Sequence, residues 1–189
     1  MISAIRSLYD EEDKTEEKMN RAKRLLIEGL REMNPNKLYY PDANSTIRMS
    51  YGKVLDYFPV DAVHYDYITT MKGIFEKEDP NIDEFIVPSK LKELYENKDF
   101  GKYAENDMMT VCLLTNNDIT GGNSGSPLIN ANGQLIGIAF DGNWESMSGD
   151  IQYEPSVQRT ISVDIRYVLF ITEKYAGAKN LINEMNIIN

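Results

Sequence analysis

The sequence predicts a mixed α and β fold: a small antiparallel barrel or sandwich closed by a terminal helix, with the end of a helical layer in front of it. Three observations carry this. Apolar residues recur at helical spacing near both ends of the chain, short alternating runs fill the middle, and turn-forming residues separate those runs. No internal repeat or low-complexity tract interrupts the pattern.

The first predicted element is a helix over Thr15 to Met33, where Met19, Ala22, Leu25, Leu26, Leu30 and Met33 recur at three and four. Asp13 or Thr15 is the candidate cap, and Asn34-Pro35 supplies the stop. Such a helix is marginal alone, so the expectation is a helical layer that continues beyond Met1. After Pro41 the pattern changes. Ile47, Met49 and Tyr51 alternate with Arg48 and Ser50, and Gly52 interrupts before Val54 to Tyr57, which predicts a long strand with a bulge or bend. A short helical or irregular region is expected around Thr70 to Glu78, and Pro88-Ser89 opens a second small helix through Leu91, Leu94 and Tyr95. Strands follow at Met109 to Leu114, Pro127 to Ile129 and Gln134 to Phe140, the last two joined by the hairpin residues Asn130-Ala131-Asn132-Gly133. A further strand spans Arg159 to Val163. Asp164 then caps a helix with Ile165, Val168, Leu169, Thr172 and Tyr175 on one face, and Ala178 to Met185 continues it after Gly177.

The 189 residues suffice for one domain, or one and a half, with a sizeable core. Hydrophobic residues at 42% and charged residues at 26% argue against a disordered or fibrous chain. Thirty acidic against twenty basic side chains give a net charge of −10, which repels phosphate backbones and anionic membranes, so nucleic acid is discounted as a partner. No stretch approaches the roughly 20 apolar residues of a membrane span, and Met1 to Asp13 lacks a signal-peptide core. The single cysteine, Cys112, lies in the apolar run Val111 to Leu114 and is expected to be a buried strand residue. The single histidine, His64, excludes mechanisms that need two imidazoles, and no metal or cofactor is expected. The acidic runs Asp10 to Asp13 and Glu76 to Asp79 lack calcium-loop spacing and read as solvated faces.

The most informative stretch is Gly121-Gly122-Asn123-Ser124-Gly125-Ser126-Pro127. Small residues around one serine permit a tight turn that exposes the hydroxyl and aims consecutive backbone N–H groups at one point. The turn is similar to the Gly-Asp-Ser-Gly-Gly-Pro turn of trypsin-like enzymes, which also leads into a hairpin. That resemblance makes Ser124 the nucleophile and sets the N–H groups of Gly122 and Ser124 toward the developing oxyanion. Asn123 replaces the aspartate that pairs with a newly cut N-terminus in trypsin-like zymogens. An amide makes no ion pair with a buried ammonium, so the turn must be organised by other contacts.

Further motifs sharpen the resemblance. Thr120 to Pro127, Phe140-Asp141-Gly142-Asn143-Trp144-Glu145, Ser162-Val163-Asp164-Ile165-Arg166-Tyr167 and Ala176-Gly177-Ala178-Lys179-Asn180-Leu181-Ile182 resemble the C-terminal part of the bacterial dipeptidyl-peptidases 7 and 11. Leu38 to Thr46 and Tyr51-Gly52 fit the same family. The resemblance implies a periplasmic serine exopeptidase that releases dipeptides from free N-termini and forms a homodimer. It implies a double barrel with a helical domain inserted between the barrels. Residues 1–41 would then be the end of that inserted domain, and 42–189 the second, trypsin-like barrel with its closing helix.

By the same resemblance Asp141 binds the substrate's α-ammonium, and a carboxylate at a fixed distance from the nucleophile would measure two residues and reject blocked termini. The simpler reading of Asp141 is a strand-end turn residue. Gly142 matches the position where members that cut after Asp or Glu carry arginine; glycine implies an open, uncharged pocket and a hydrophobic second residue. Trp144 either lines the pocket or packs under its loop, with packing favoured. The family's catalytic histidine and aspartate lie far upstream of its serine, whereas His64 precedes Ser124 by only 60 residues, so His64 reads as packing between tyrosines. The chain therefore carries the nucleophile and part of the pocket but not the base, and the missing barrel and helical domain are its implied partners. The alternatives are a catalytically silent peptide-binding or structural module and, opposed by Gly142, an Asp/Glu-specific peptidase.

Overall fold

The computed structural model describes residues 2–37, 47–149 and 151–188. The motif residues Leu38 to Thr46 and the side chains of the acidic run Asp10 to Asp13 lie outside the described residues. The chain divides into two compact units, Met1–Pro41 and Asp42–Asn189.

The first unit contains α1, Ile2–Met33. It is longer than the periodicity predicts and runs straight through Asp13 and Thr15, so neither residue caps it. No glycine or proline precedes Gly29, and nothing local breaks the helix earlier. Its end is as expected: the Asn34 amide donates to the Leu30 carbonyl at 3.1 Å before Pro35. Met19, Leu25, Leu26 and Met33 are exposed on it.

In the second unit five strands form one antiparallel sheet in the order β1-β2-β5-β4-β3. They are β1 Ile68–Thr70, β2 Thr110–Thr115, β3 Pro127–Ile129, β4 Leu135–Gly142 and β5 Thr160–Asp164. The hairpin between β3 and β4 is closed as its residues predict. The Asn130 carboxamide oxygen accepts from the amides of Asn132 and Gln134 at 2.9 and 3.0 Å, and Gly133 takes a φ of 77°. Strand β4 continues beyond Phe140 because Asp141 and Gly142 still pair, with Ile161 and Thr160.

The long strand expected over Ile47 to Tyr57 is absent. Residues 47–53 take no regular structure, and the segment joins the sheet's ladder at the bridge Val54↔Thr115. The cause is competition for an edge: β1 occupies the flank of β2 from Thr110 to Leu113, leaving only its end free for Lys53 to Leu55. Gly52 is needed there, because a Cβ would lie 2.6 Å from the Asn117 amide nitrogen.

Four helices pack with the sheet: α2 Met71–Glu76, α3 Ser89–Glu96, α4 Ile165–Phe170 with a π-helical turn Ile171–Tyr175, and α5 Lys179–Glu184. Asp164 caps α4 as predicted, its carboxylate accepting from the Arg166 amide at 2.8 Å. Hydrogen bonding to Asp164 also holds the Arg166 guanidinium above its ordinary pKa. The core gathers Met71, Val87, Leu91, Phe100, Tyr103, Met109, Leu169, Phe170 and Ile182. The sheet's end at Gly142 is thus held by β5 through the pair Gly142↔Thr160, and β4 delivers its last residues to the site.

One single-residue expectation changes. Cys112 is half-buried rather than buried, although Thr110 and Leu114 on the same face of β2 are buried; what burial it has raises its thiol pKa. The run Glu76 to Asp79 lies at the surface as expected, with Glu76 exposed and paired with Lys72, Glu78 paired with Lys92, and the Asp79 carboxylate accepting from the Asn81 amide at 2.9 Å.

Candidate active site

The turn Thr120 to Pro127 is stitched at both ends. Within it, the Asn123 amide donates to the Thr120 carbonyl at 3.1 Å and the Thr120 amide to Asn123 Oδ1 at 3.0 Å. The Ser126 amide returns to the Asn123 carbonyl at 2.9 Å. Asn123 therefore closes the turn with its own side chain, the local contact that stands where an ion pair does not. Gly122 and Gly125 take φ values of 102° and 85°, which side-chain-bearing residues rarely adopt.

The turn is also fastened to β4. The Gly125 amide donates to the Ala139 carbonyl at 2.7 Å, and the Ala139 amide to the Ser126 carbonyl at 2.9 Å. These bonds extend the β3–β4 pairing into the turn and carry Ser124 to the end of β4. The exposed Ser124 hydroxyl donates to the Phe140 carbonyl at 3.3 Å. The amides of Gly122 and Ser124 meet no protein acceptor among the described residues.

Asp141 and Gly142 follow directly on β4. Asp141 is exposed, and one of its carboxylate oxygens accepts from the Gly142 amide at 2.8 Å. Gly142 is half-buried opposite Thr160, and the space over it is not open as expected. A Cβ there would lie 3.0 Å from Ser146 Cβ.

Beyond Gly142 the chain enters a 3₁₀ turn, Trp144–Ser148, opened by Asn143. Asn143 is buried and uses every hydrogen-bonding group of its side chain. Nδ2 donates to the Val157 carbonyl at 2.7 Å and to Glu145 Oε2 at 2.8 Å, while Oδ1 accepts from the Ser146 hydroxyl at 2.6 Å and the Arg159 amide at 2.8 Å. Tyr57 also donates to Glu145 Oε2, at 3.1 Å, and burial pushes the Tyr57 pKa up. Sequence reasoning assigned Asn143 no role. The available signal was an asparagine, a favoured cap residue, at the end of a strand and before a short helical turn. Trp144, favoured as a packed residue, is instead 83% exposed.

The sequence pattern likewise gives Arg159 no role beyond the start of a strand. It is 4% exposed, and its guanidinium donates to the carbonyls of Leu55, Asp56, Pro155, Gln158 and Ser156. It lies over the Tyr57 ring at 5.4 Å. His64 belongs to an exposed loop: its Nε2 is 2.7 Å from Asp56 Oδ2, and its ring stacks on Phe58 at 4.5 Å. It packs on that phenylalanine rather than between tyrosines, because Tyr65 turns instead to Tyr57. The site thus brings Ser124, Phe140, Asp141 and Gly142 together at one strand end, while the imidazole is engaged by Asp56.

Among the described residues no helix is long and apolar enough to cross a membrane. The peptidase S46 family model matches residues 1–187. The chain is 56% identical to dipeptidyl-peptidase 7 of Phocaeicola vulgatus, over all of this chain and 27% of that protein. It is 50% identical to the Asp/Glu-specific dipeptidyl-peptidase of Porphyromonas gingivalis, over all of this chain and 26% of that protein. Among solved structures, Porphyromonas endodontalis DPP11 in complex with the dipeptide Arg-Glu matches with a TM-score of 0.79 and 47% identity, over 87% of this chain and 24% of that one. The chain therefore spans about a quarter of the length of these relatives. A match over nearly every residue, at half or more identity, leads to one conclusion: this chain belongs to the peptidase S46 family.

Proposed function

We propose that this chain supplies the nucleophile and the substrate-anchoring strand of a serine dipeptidyl-peptidase that acts on free N-termini in the periplasm. The carrying observation is the fastening of the Ser124 turn to β4, which sets the Ser124 hydroxyl 3.3 Å from the Phe140 carbonyl, one residue before Asp141. In this reading residues 1–41 end a helical domain and 42–189 form the second barrel of a homodimeric enzyme. The histidine and aspartate of the triad come from the missing first barrel.

Ser124 Oγ attacks the carbonyl carbon of the substrate's second residue while the base from the missing barrel takes its proton. The oxyanion is received by the Gly122 and Ser124 amides. The amine leaves with that proton, and water then releases the dipeptide from the ester. Asp141 accepts the substrate's α-ammonium, so the span from carboxylate to hydroxyl measures two residues. Gly142 faces the side chain of the second residue and offers it no charge, which favours hydrophobic residues there. The relatives do not separate this from the Asp/Glu preference, since names of both kinds match at about half identity or more.

The test uses fluorogenic dipeptidyl amides ending in Leu or Glu with the full-length gene product. The expected result is cleavage of the Leu substrate, no cleavage of its N-acetylated form, and a loss of about a thousandfold or more in Ser124→Ala. Turnover that survives Ser124→Ala would sink the assignment, and a Glu preference would sink the specificity. A second reading, a silent peptide-binding module, is favoured by one observation: the Ser124 hydroxyl is engaged by a carbonyl and the only imidazole by Asp56. Dipeptide binding without turnover in the full-length product would support it.

A further inference from the structure

Gly142 carries a negative φ, so its backbone conformation does not demand glycine. Its neighbour does. A Cβ at 142 would lie 3.0 Å from Ser146 Cβ and 3.3 Å from Ser146 Oγ, inside the optimal separation of about 3.5–4.0 Å between carbons for the first contact. The Arg159 carbonyl at 3.7 Å is an ordinary contact.

Ser146 is poorly placed to yield. Its hydroxyl donates to Asn143 Oδ1 at 2.6 Å, with the Arg159 carbonyl 3.3 Å away. Its amide donates to the Asn143 carbonyl at 2.9 Å, and its carbonyl accepts from the Gly149 amide at 2.9 Å. On that far side a Cβ on Gly149 would lie 3.0 Å from the Ser146 carbonyl oxygen, so a glycine flanks Ser146 in the chain on each side. The anchor itself, Asn143, is buried with every side-chain group bonded. A fully satisfied buried polar network is rigid, and displacing one member leaves others unpaired.

We propose that Ser146 is a specificity-determining positioning residue: pinned to Asn143, it holds its side chain over Gly142, confines that position to glycine and so keeps the pocket for the substrate's second residue uncharged. The proposal rests on the reading of Gly142 as a pocket residue. It makes the preference a property of two positions. An arginine at 142 cannot settle beneath a pinned Ser146, whereas removal of the hydroxyl releases the turn by the few tenths of an ångström that a side chain at 142 requires.

Four forms of the full-length gene product decide it: the parent, Gly142→Arg, Ser146→Ala and the double variant, each assayed for kcat/KM on dipeptidyl amides ending in Leu and in Glu. The Glu-to-Leu ratio is the readout, since damage to the fold lowers both substrates together. The double variant is expected to raise the ratio at least about tenfold beyond Gly142→Arg alone. If Gly142→Arg alone raises it as far as the double variant, the role of Ser146 is overturned and the pocket reading stands. If the ratio stays at the parent value in both folded variants, Gly142 is no pocket residue and the proposal falls with it. Should the arginine variants fail to fold, Gly142→Ala replaces them in thermal melts with and without Ser146→Ala. A melting penalty for Gly142→Ala that Ser146→Ala relieves supports the pinned contact, and strictly additive penalties overturn it.

Discussion

Asn143 and Arg159 are joined twice across the strand end: the Asn143 amide donates to the Arg159 carbonyl at 2.9 Å, and the Arg159 amide donates to Asn143 Oδ1 at 2.8 Å. This pair closes the ladder between β4 and β5 where regular pairing stops at Gly142↔Thr160. It also positions the two residues that organise the ground behind the candidate pocket.

Removing the Asn143 carboxamide should therefore be costly. Asn143→Ala leaves the Arg159 amide and the Val157 carbonyl short of a partner, and about 2–4 kcal/mol of stability should be lost. Urea denaturation of the two proteins measures it. A loss within experimental error would mean that the network does not hold the turn.

Arg159 should resist replacement by lysine. Its fork reaches carbonyls of two separate segments, Leu55-Asp56 and Pro155-Ser156, and a single ammonium cannot span both. Arg159→Lys should cost about 2–3 kcal/mol and speed hydrogen exchange at the Leu55 and Tyr57 amides. Unchanged exchange there would remove the clamp from the account.

Two glycines give opposite expectations. Gly52→Ala forces a Cβ to within 2.6 Å of a backbone nitrogen and should lower stability by about 1–3 kcal/mol. Gly73, inside α2, meets nothing within 4 Å, and Gly73→Ala should raise stability by about 0.5–1 kcal/mol through helix propensity. Thermal melts of both variants separate packing from backbone freedom.

Alkaline pH should loosen the core through Tyr103. Burial, and then its hydrogen bond to Glu173 at 2.5 Å, pushes the phenol up to about 12. An unfolded tyrosine titrates near pH 10, so the folded chain binds this proton more tightly. The stabilisation is complete below about pH 10 and is lost as pH rises through about 12. Tyr103→Phe should thus be less stable than the parent by about 1 kcal/mol at neutral pH, with the gap closing above pH 10. Denaturation midpoints between pH 7 and pH 12 test this, and a constant gap would contradict it.

His64 should be dispensable for turnover. It is exposed and paired with Asp56, and the proposed base lies outside the chain. His64→Gln should change kcat/KM of the full-length product by less than about threefold; a loss of a hundredfold or more would make His64 the base.

Much of this protein was determined by its sequence alone. The strands β2 to β5, the Asn130 to Gly133 hairpin, the Asp164 cap and the Ser124 turn follow from local rules of periodicity, φ preference and capping, which neighbouring residues express wherever they fold; β1, three residues long, does not. The family follows as well, because its motifs are read residue by residue. Only the tertiary structure decided the rest. Residues Ile47 to Tyr57 have the alternation of a strand, but β1 already holds most of the flank of β2, and competition for an edge is invisible in either segment. Asn123 closing its own turn, Arg159 bridging two distant segments and Ser146 covering Gly142 depend on contacts that no spacing rule encodes. A glycine in a sequence announces missing bulk; which neighbour requires that absence is settled only when the chain has packed.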